Sequence, residues 1–128
     1  MINAKTVSIL YAMAFAASGI LGFVPNPLVA PDGIFAVNLW HNLVHIVTGL
    51  MFGSGAYFGE KPALGVIRGV AVFYIIVTVL GFLTPGEMLL GFIHVNHADK
   101  WLHFSLAIVI TFAGFVLLRG NARKVEAS

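Results

Sequence analysis

The stretch that decides the fold is residues 63–83, which read ALGVIRGVAVFYIIVTVLGFL. It contains a single charged side chain, Arg68, near its beginning. A continuous apolar helix of about 20 residues is long enough to cross the hydrocarbon core of a bilayer. Because a bilayer offers the backbone no water to bond, an uninterrupted run of this length predicts a transmembrane helix.

Three further apolar runs of similar length lie on either side of this stretch, at residues 7–24, 39–58 and 101–118. The chain of 128 residues is 59% hydrophobic and only 9% charged, whereas a soluble protein has roughly a quarter of its residues charged. The sequence therefore predicts an all-α, integral membrane four-helix bundle that forms a single transmembrane domain over residues 1–128. The lipid bilayer is the partner that this composition implies.

The composition also argues against several functions. The chain has no Cys, which rules out disulfides, thiolate metal sites and cysteine nucleophiles. A net charge of +2 is too small to attract nucleic acid, so we expect no nucleic-acid partner. The sequence has neither a nucleophile elbow nor a glycine-rich phosphate loop. We therefore expect no catalytic residues and a non-enzymatic protein.

The basic residues indicate how the chain is oriented. They concentrate before the first span, between the second and third spans, and after the fourth span. Cytoplasmic loops carry an excess of Lys and Arg, so we expect both the N- and C-termini to be cytoplasmic, with a basic tail at residues 119–128. Arg68 is positioned to extend its guanidinium toward the cytoplasmic headgroups. The residues on this side are Lys5, Lys61, Arg68, Arg119, Arg123 and Lys124.

An internal repeat relates the two halves of the chain, at about residues 5–58 and 63–118. At an offset of 59 residues, the LGFV of residues 21–24 falls on the LGFL of residues 80–83. Because each unit crosses the bilayer twice, both copies enter it in the same direction. This predicts two parallel helical hairpins related by a pseudo-two-fold axis along the membrane normal. At an offset of 58 residues, Asn38 falls on Asn96, His41 on Asp99 and His45 on His103.

The repeated asparagines have the residue type and position of helix N-caps. Asn38 and Asn96 directly precede the second and fourth helices, where a side-chain oxygen can accept a free backbone N–H. Asp99 lies three residues after Asn96, where a carboxylate completes a capping box. We therefore expect Asn38 and Asn96 to be structural caps.

The histidines are the candidate functional residues. His41 and His45 lie four residues apart on one face of the second span, and Asp99 and His103 are their counterparts in the fourth. If these two helices pack near the pseudo-axis, the four side chains meet in one layer on the outer side of the bundle. His45 lies deep enough to be inside the hydrocarbon, where an ionisable residue suggests a functional site.

Three interpretations of this layer remain open. In the first, it is a structural polar layer bonded across helices, in a protein that is free-standing or an accessory subunit of a membrane complex. In the second, His41, His45, Asp99 and His103 bind a transition metal such as Zn, Fe or Cu. In the third, His45 and His103 are the axial ligands of a b-type haem. The latter two point to electron transfer, metal handling or sensing, and a membrane-protein partner or a homo-oligomer is compatible with all three.

Two segments resemble a known family. Residues 41–49, HNLVHIVTG, and 95–103, VNHADKWLH, resemble the H-N-x-x-H and V-N-x-A-D-x-W-L-H elements of small bacterial membrane proteins grouped as the domain of unknown function 4383 family. The resemblance covers most of the chain and implies four spans in a bacterial inner membrane, but no activity. His97 departs from the family pattern. The positions that the resemblance marks are His41, His45, Asn96, Asp99, Trp101 and His103.

Overall fold

The computed structural model describes residues 2–128, which are mostly helical. The long helices are α1 (Ala4–Leu21), α2 (Leu39–Phe58), α3 (Glu60–Leu83) and α4 (His97–Phe112). A π-helical turn, Ala113–Leu117, extends α4, and a short helix, α5 (Arg119–Glu126), follows it. Loop 1 is residues 22–38 and carries β1 (Val29–Ala30) paired with β2 (Phe35–Ala36); loop 2 is residues 84–96 and carries β3 (Met88–Leu89) paired with β4 (Ile93–His94).

Three helices among residues 2–128 are long and apolar enough to cross a membrane. They are Ala4–Leu21, Glu60–Leu83 and His97–Leu117, the last being α4 with its π-helical turn. The 20 residues of α2 are sufficient in length, but its first turns include the polar side chains His41, Asn42 and His45. The chain is thus a helical protein with three candidate membrane-spanning helices.

The helix starts differ from the predicted spans where a polar first turn precedes the apolar run. The side chain of Asn3 accepts the backbone N–H of Thr6 at 2.8 Å, so α1 begins at Ala4 and not at residue 7. Helix α4 is likewise capped by Asn96 and begins at His97, four residues before its apolar run, whereas α3 follows Gly59 and begins at Glu60, three residues before its run. The bounds of α2 coincide with the predicted second span, residues 39–58.

Small residues let α1 and α2 pack with their backbones nearly in contact. A Cβ atom on Gly49 would lie 2.9 Å from the backbone nitrogen of Ala16 and 3.1 Å from the carbonyl oxygen of Ala12. Close approach at glycine is a common way for helices to associate in lipid, where packing replaces the expulsion of water. The next connection, from α2 to α3, is Gly59 alone, whose φ of +127° is readily adopted only by glycine.

The two loops are joined to the opposite halves of the molecule by a reciprocal pair of hydrogen bonds. The side-chain amide of Asn38 donates to the carbonyl of Phe92 in loop 2 at 2.7 Å. The side-chain amide of Asn96 donates to the carbonyl of Ile34 in loop 1 at 2.9 Å. Phe92 follows Ile34 by the same 58 residues that separate Asn96 from Asn38. Each asparagine is also an N-cap, since its side-chain oxygen accepts the N–H of the residue three positions on.

Many large apolar side chains are exposed, and several polar side chains are buried beside the apolar core. Large apolar side chains such as Met13, Leu50 and Ile76 are exposed around the outside of the bundle. Polar side chains are instead buried between the helices. They are Ser8, His41, Asn42, His45, Thr48, Thr78, Asp99 and His103.

Candidate metal centre

Three histidine rings meet where the first turns of α2 and α4 pass beneath the two loops. The ring centroids of His41 and His45 lie 4.6 Å apart, and those of His41 and His103 lie 5.5 Å apart. One ring nitrogen from each residue lies within 4.8 Å of the other two. All three side chains are buried, with exposed fractions of 2%, 6% and 4% for His41, His45 and His103.

A backbone carbonyl fixes the orientation and tautomer of His41. Its Nδ1 lies 2.6 Å from the carbonyl oxygen of His94 in loop 2. A carbonyl oxygen can only accept a hydrogen bond, so Nδ1 carries the hydrogen and Nε2 of the neutral ring keeps a free lone pair. Metal-binding histidines usually donate their second ring nitrogen to an acceptor of this kind.

Aromatic rings and a serine hold the other two imidazoles. His45 packs edge-on against Phe15 with 5.8 Å between ring centroids, and its Nδ1 lies 3.5 Å from the hydroxyl of Ser18. His103 packs edge-on against the buried ring of Tyr74, with 5.7 Å between centroids. The helices α1 and α3 thus support rings that α2 and α4 contribute.

Each histidine of the cluster has one ring nitrogen without a hydrogen-bond partner in the described part of the chain. These nitrogens are His41 Nε2, His45 Nε2 and His103 Nδ1, each fully buried. Buried polar atoms in folded proteins are nearly always hydrogen-bonded, so three such atoms in one place need an explanation.

Asp99 lies outside this cluster, although the sequence suggested it as a fourth member of a metal-binding set. Its side chain is only 1% exposed, and its Oδ2 accepts the backbone N–H of Asn96 at 3.1 Å. With Asn96 it forms a capping box at the start of α4. Asp99 also lines a cavity of about 210 Å³ that His45 and Ser18 share.

The two remaining histidines make contacts elsewhere. His94 Nε2 lies 3.0 Å from Oε2 of Glu87, an ion pair when the imidazole is protonated. His97 Nε2 accepts the indole N–H of Trp101 at 3.2 Å. Neither imidazole belongs to the three-histidine cluster.

Sequence reasoning did not identify the residues that position the rings. The carbonyl of His94 carries no side-chain signal, and Tyr74 is one of many aromatics in apolar runs. Ser18 is one of three small residues at intervals of four along α1 and its C-cap, together with Ala14 and Gly22. That spacing is common to packed membrane helices and does not point to a site.

The fold and the site define a class, that of helical proteins with membrane-compatible helices and a buried cluster of histidines. Within that class, the chain belongs to the family described as Domain of unknown function (DUF4383), which it matches over residues 5–116. The membership predicted from residues 41–49 and 95–103 is thereby confirmed. No curated protein and no solved structure matches the chain.

Proposed function

We propose that this protein is a four-span membrane protein that binds a transition-metal ion through His41, His45 and His103, at the level where the loops meet the bilayer. The observation that carries the proposal is a cluster of three buried histidines, each of which also has a buried ring nitrogen without a hydrogen-bond partner in residues 2–128. Metal handling and electron transfer are the roles that fit such a centre.

A purely structural polar layer explains these nitrogens poorly. Each buried acceptor left without a partner costs about 1–3 kcal/mol. In a purely structural layer, these nitrogens would be expected to form hydrogen bonds with side chains of neighbouring helices. One metal ion removes all three deficits at once. The bond from His41 Nδ1 to the carbonyl of His94 supports the metal interpretation, because it leaves Nε2 free to coordinate.

The donor set and its size agree with a first-row transition metal. Imidazole nitrogens suit Zn, Cu, Fe and Ni, and the chain has no thiolate to compete with them. Two nitrogens on one tetrahedral zinc lie about 3.3 Å apart, given metal–nitrogen distances near 2.0–2.1 Å. The longest separation in the cluster is at most 4.8 Å, so small side-chain rotations bring the three nitrogens to that distance.

The metal set proposed here is the sequence-derived one without Asp99 as a direct ligand. Asp99 is the one acid that is buried among residues 2–128, and its Oδ2 is occupied by the cap of α4. When it is ionised, this carboxylate favours a cation nearby, because opposite charges attract strongly in a medium of low dielectric constant.

A haem between His45 and His103 is less compatible with the packing. An axial pair needs a flat slot for the macrocycle between its two rings. The ring of His41 lies within 4.6 Å of the His45 ring and 5.5 Å of the His103 ring, centroid to centroid, and takes up that space.

The arrangement of side chains on α2 supports this helix as the fourth span. Its polar residues His41, Asn42, His45 and Thr48 are buried, so they lower the apolar character of the sequence without facing lipid. The face that points outward is apolar. Its exposed residues include Leu39, Trp40, Leu43, Val47, Leu50 and Met51.

The reciprocal hydrogen bonds support the arrangement as two parallel repeats. The side-chain amide of Asn38 donates to a carbonyl of loop 2, and that of Asn96 donates to a carbonyl of loop 1. The two accepting residues, like the two asparagines, are 58 positions apart. Such an exchange is expected when two similar hairpins pack around a two-fold axis. Together with the positive-inside bias, these bonds support the proposal that both termini lie in the cytoplasm of a bacterial cell and the cluster lies on the outer side of the inner membrane.

The experiment is metal analysis of the detergent-purified protein, prepared without a polyhistidine tag. After incubation with Zn²⁺ and dialysis, the unmodified chain should retain about one ion per molecule, as expected for a single three-histidine site. His45→Gln and His103→Gln should each lose most of it, and circular dichroism should show that both stay helical.

His97→Gln is the matched control, since His97 lies on the same helix as His103 but outside the cluster. It should bind as much metal as the unmodified chain. An unmodified protein without stoichiometric Zn, Cu, Fe or Ni, or one that keeps its metal in both cluster variants, would overturn the proposal. A hydrated polar layer would then be the better interpretation.

A further inference from the structure

A cavity of about 210 Å³ lies between α1, α4 and loop 1, beside the histidine cluster. Of the three clustered histidines only His45 lines it, next to Ser18, whose hydroxyl lies 3.5 Å from His45 Nδ1. The wall is otherwise mostly apolar and includes Phe15, Leu102 and Leu106. An apolar cavity of about 150 Å³ is enough to bind benzene, so this one has room for an aromatic ring with a short substituent.

Asp99, which lines this cavity, is a buried carboxylate without a counter-ion. Among residues 2–128, no nitrogen of a Lys, Arg or His side chain lies within 4.0 Å of its oxygens. The hydrogen bond that its Oδ2 accepts comes from a neutral group, the backbone N–H of Asn96. Buried charges in folded proteins are usually paired, because taking an ion out of water is costly. A cation in the cavity would supply the missing partner.

A second cavity, in the other half of the molecule, shows what is particular to this one. It lies between α2 and α3, has a volume of about 410 Å³, and is lined in part by Val44 and Thr48. These residues precede Leu102 and Leu106 by 58 positions, so the two cavities correspond in the proposed repeat. None of the described residues that line the second cavity is ionisable. Of these two corresponding cavities, only the one between α1 and α4 carries a carboxylate.

The carboxylate can be reached from the outside of the bundle. Ala14, on the α1 side of the cavity, is exposed, and Leu102 on the α4 side is only half-buried. Asp99 belongs to the first turn of α4, which in the proposed orientation lies near the outer surface of the membrane. A cation from that surface therefore reaches Asp99 without crossing the hydrocarbon core.

We propose that the cavity binds a small organic ammonium ion, whose N–H groups bond to Asp99 and whose apolar part packs against Phe15 and Leu102. A cation that carries its own hydrocarbon suits a wall that is charged at one point and apolar elsewhere. A metal ion would find too few ligands there, because hard cations take six or more oxygens. The inference goes beyond the metal centre and does not depend on it, since neither His41 nor His103 lines the cavity.

The ammonium group of an aminophospholipid does not fit this cavity. Its phosphate lies close to the ammonium and would enter the same apolar space, where no Lys or Arg of the described chain lines the wall to receive it. An anion beside a buried carboxylate is also repelled. The ligand class is therefore a free amine with a compact apolar group.

Benzylamine, which is protonated at neutral pH, is a suitable probe, and benzyl alcohol is a neutral molecule of nearly the same shape. Each is titrated by calorimetry into the untagged protein in detergent, and the heats measured with protein-free micelles are subtracted. Benzylamine should bind saturably, at about one molecule per chain. Its affinity should exceed that of benzyl alcohol by about tenfold or more, the factor that a hydrogen bond to a charged group provides.

Two variants test the carboxylate and the cavity separately. Asp99→Asn should lower the affinity for benzylamine to that for benzyl alcohol, because the amide keeps an oxygen for the cap of α4 but carries no charge. Ala14→Phe fills the cavity from α1 and should abolish the binding of benzylamine. Ala17→Phe is the control, because Ala17 is exposed on the same helix but lies outside the cavity wall. It should bind benzylamine like the unmodified chain.

Equal affinity of the unmodified chain for the two probes would overturn the inference, as would benzylamine binding that persists in Ala14→Phe. If Asp99→Asn does not fold, these two comparisons still decide the question. Failure here would leave the metal centre intact, because that site is measured by the zinc retained in the histidine variants. A protein that binds benzylamine but no metal would refute the proposed function alone.

Discussion

The amide groups of Asn38 and Asn96 each make two contacts that stabilise different parts of the molecule. The side-chain oxygen of Asn38 accepts the N–H of His41, the first histidine of the cluster, at 3.1 Å. Its NH₂ group donates to the carbonyl of Phe92 in loop 2. One residue thus fixes both the start of α2 and the position of the loop that supplies the His94 carbonyl to His41.

Substitution of Asn38 by Asp separates these two contacts. Asp caps a helix as well as Asn does but has no NH₂ group to donate. We expect Asn38→Asp to lower the free energy of unfolding by about 1 kcal/mol, the usual value of one hydrogen bond. Asn38→Ala should lose about 1 kcal/mol more, because the cap is lost as well.

Thermal unfolding in detergent, followed by circular dichroism, measures both changes. Asn96→Asp should behave like Asn38→Asp, since its NH₂ group makes the equivalent contact with loop 1. If Asn38→Asp and Asn96→Asp were both as stable as the unmodified chain, the bonds between the loops and the caps would contribute nothing.

For single residues, the sequence predicts which helix face a side chain occupies better than it predicts the atoms that the side chain contacts. The spacing of four residues indicates that His41 and His45 share a helix face, and the offset of 58 indicates which residues of α4 correspond to them. Which ring nitrogens lie free depends on a backbone carbonyl of loop 2, and a sequence pattern does not encode that contact. The placement of Asp99 in a cap and a cavity wall is likewise a matter of three-dimensional packing.

Among the helices, the end of α4 shows how a charged residue is used inside an apolar segment. The π-helical turn Ala113–Leu117 departs from regular α-helical bonding, and the carbonyl of Gly114 accepts the Nε–H of Arg68 at 3.0 Å. The guanidinium carbon also lies 5.1 Å from the centroid of the Phe115 ring, within cation–π distance. Arg68 therefore connects α3 to α4 in addition to any role at the headgroups.

Arg68→Met keeps the length of the side chain but removes this donor. We expect it to lower the free energy of unfolding by about 1.5–3 kcal/mol, as is typical of hydrogen bonds to charged groups. Lys61→Met is the control, because Lys61 is an exposed cation at the start of the same helix. Unfolding of both variants in the same detergent measures the difference; equal stability of the two would show that the bond to Gly114 is not needed.

Apolar runs predict the existence of helices well and their ends less well. The predicted runs omit the polar first turns of α1, α3 and α4, because capping residues and charges are not apolar even when the backbone is helical. The π-helical turn has no sequence signal of its own. The tail, residues 119–128, was expected only to be basic, yet α5 forms there, with Ala122 buried.

For the molecule as a whole, the amino-acid composition and the 58-residue repeat predict much of the architecture. An excess of apolar residues with few charges predicts exposed apolar surfaces, and the structure has large apolar side chains on its outside and a group of buried polar side chains beside its apolar core. Each loop is hydrogen-bonded to the N-cap of a helix in the other hairpin. These contacts join residues far apart in the sequence, and the offset of 58 residues suggests them without determining them. Neither composition nor pattern determines what the histidines bind.

The proposed metal centre depends most on whether α2 crosses the bilayer. This helix carries two of the three clustered histidines, yet it lies outside the set of three helices that length and composition alone mark as spans among residues 2–128. If α2 lay along the membrane surface, the cluster would be at the interface with water, and the metal would not be held between crossing helices.

Cysteine labelling tests this point directly, because the chain has no native Cys. Asp32 precedes α2 and Lys61 follows it, and both are exposed, so single variants Asp32→Cys and Lys61→Cys report on the two ends of the helix. A maleimide that does not cross membranes is applied to intact and to permeabilised cells. We expect Asp32→Cys to react in intact cells and Lys61→Cys only after permeabilisation. Reaction of both variants in intact cells, or of neither variant until the cells are permeabilised, would show that α2 does not cross the bilayer.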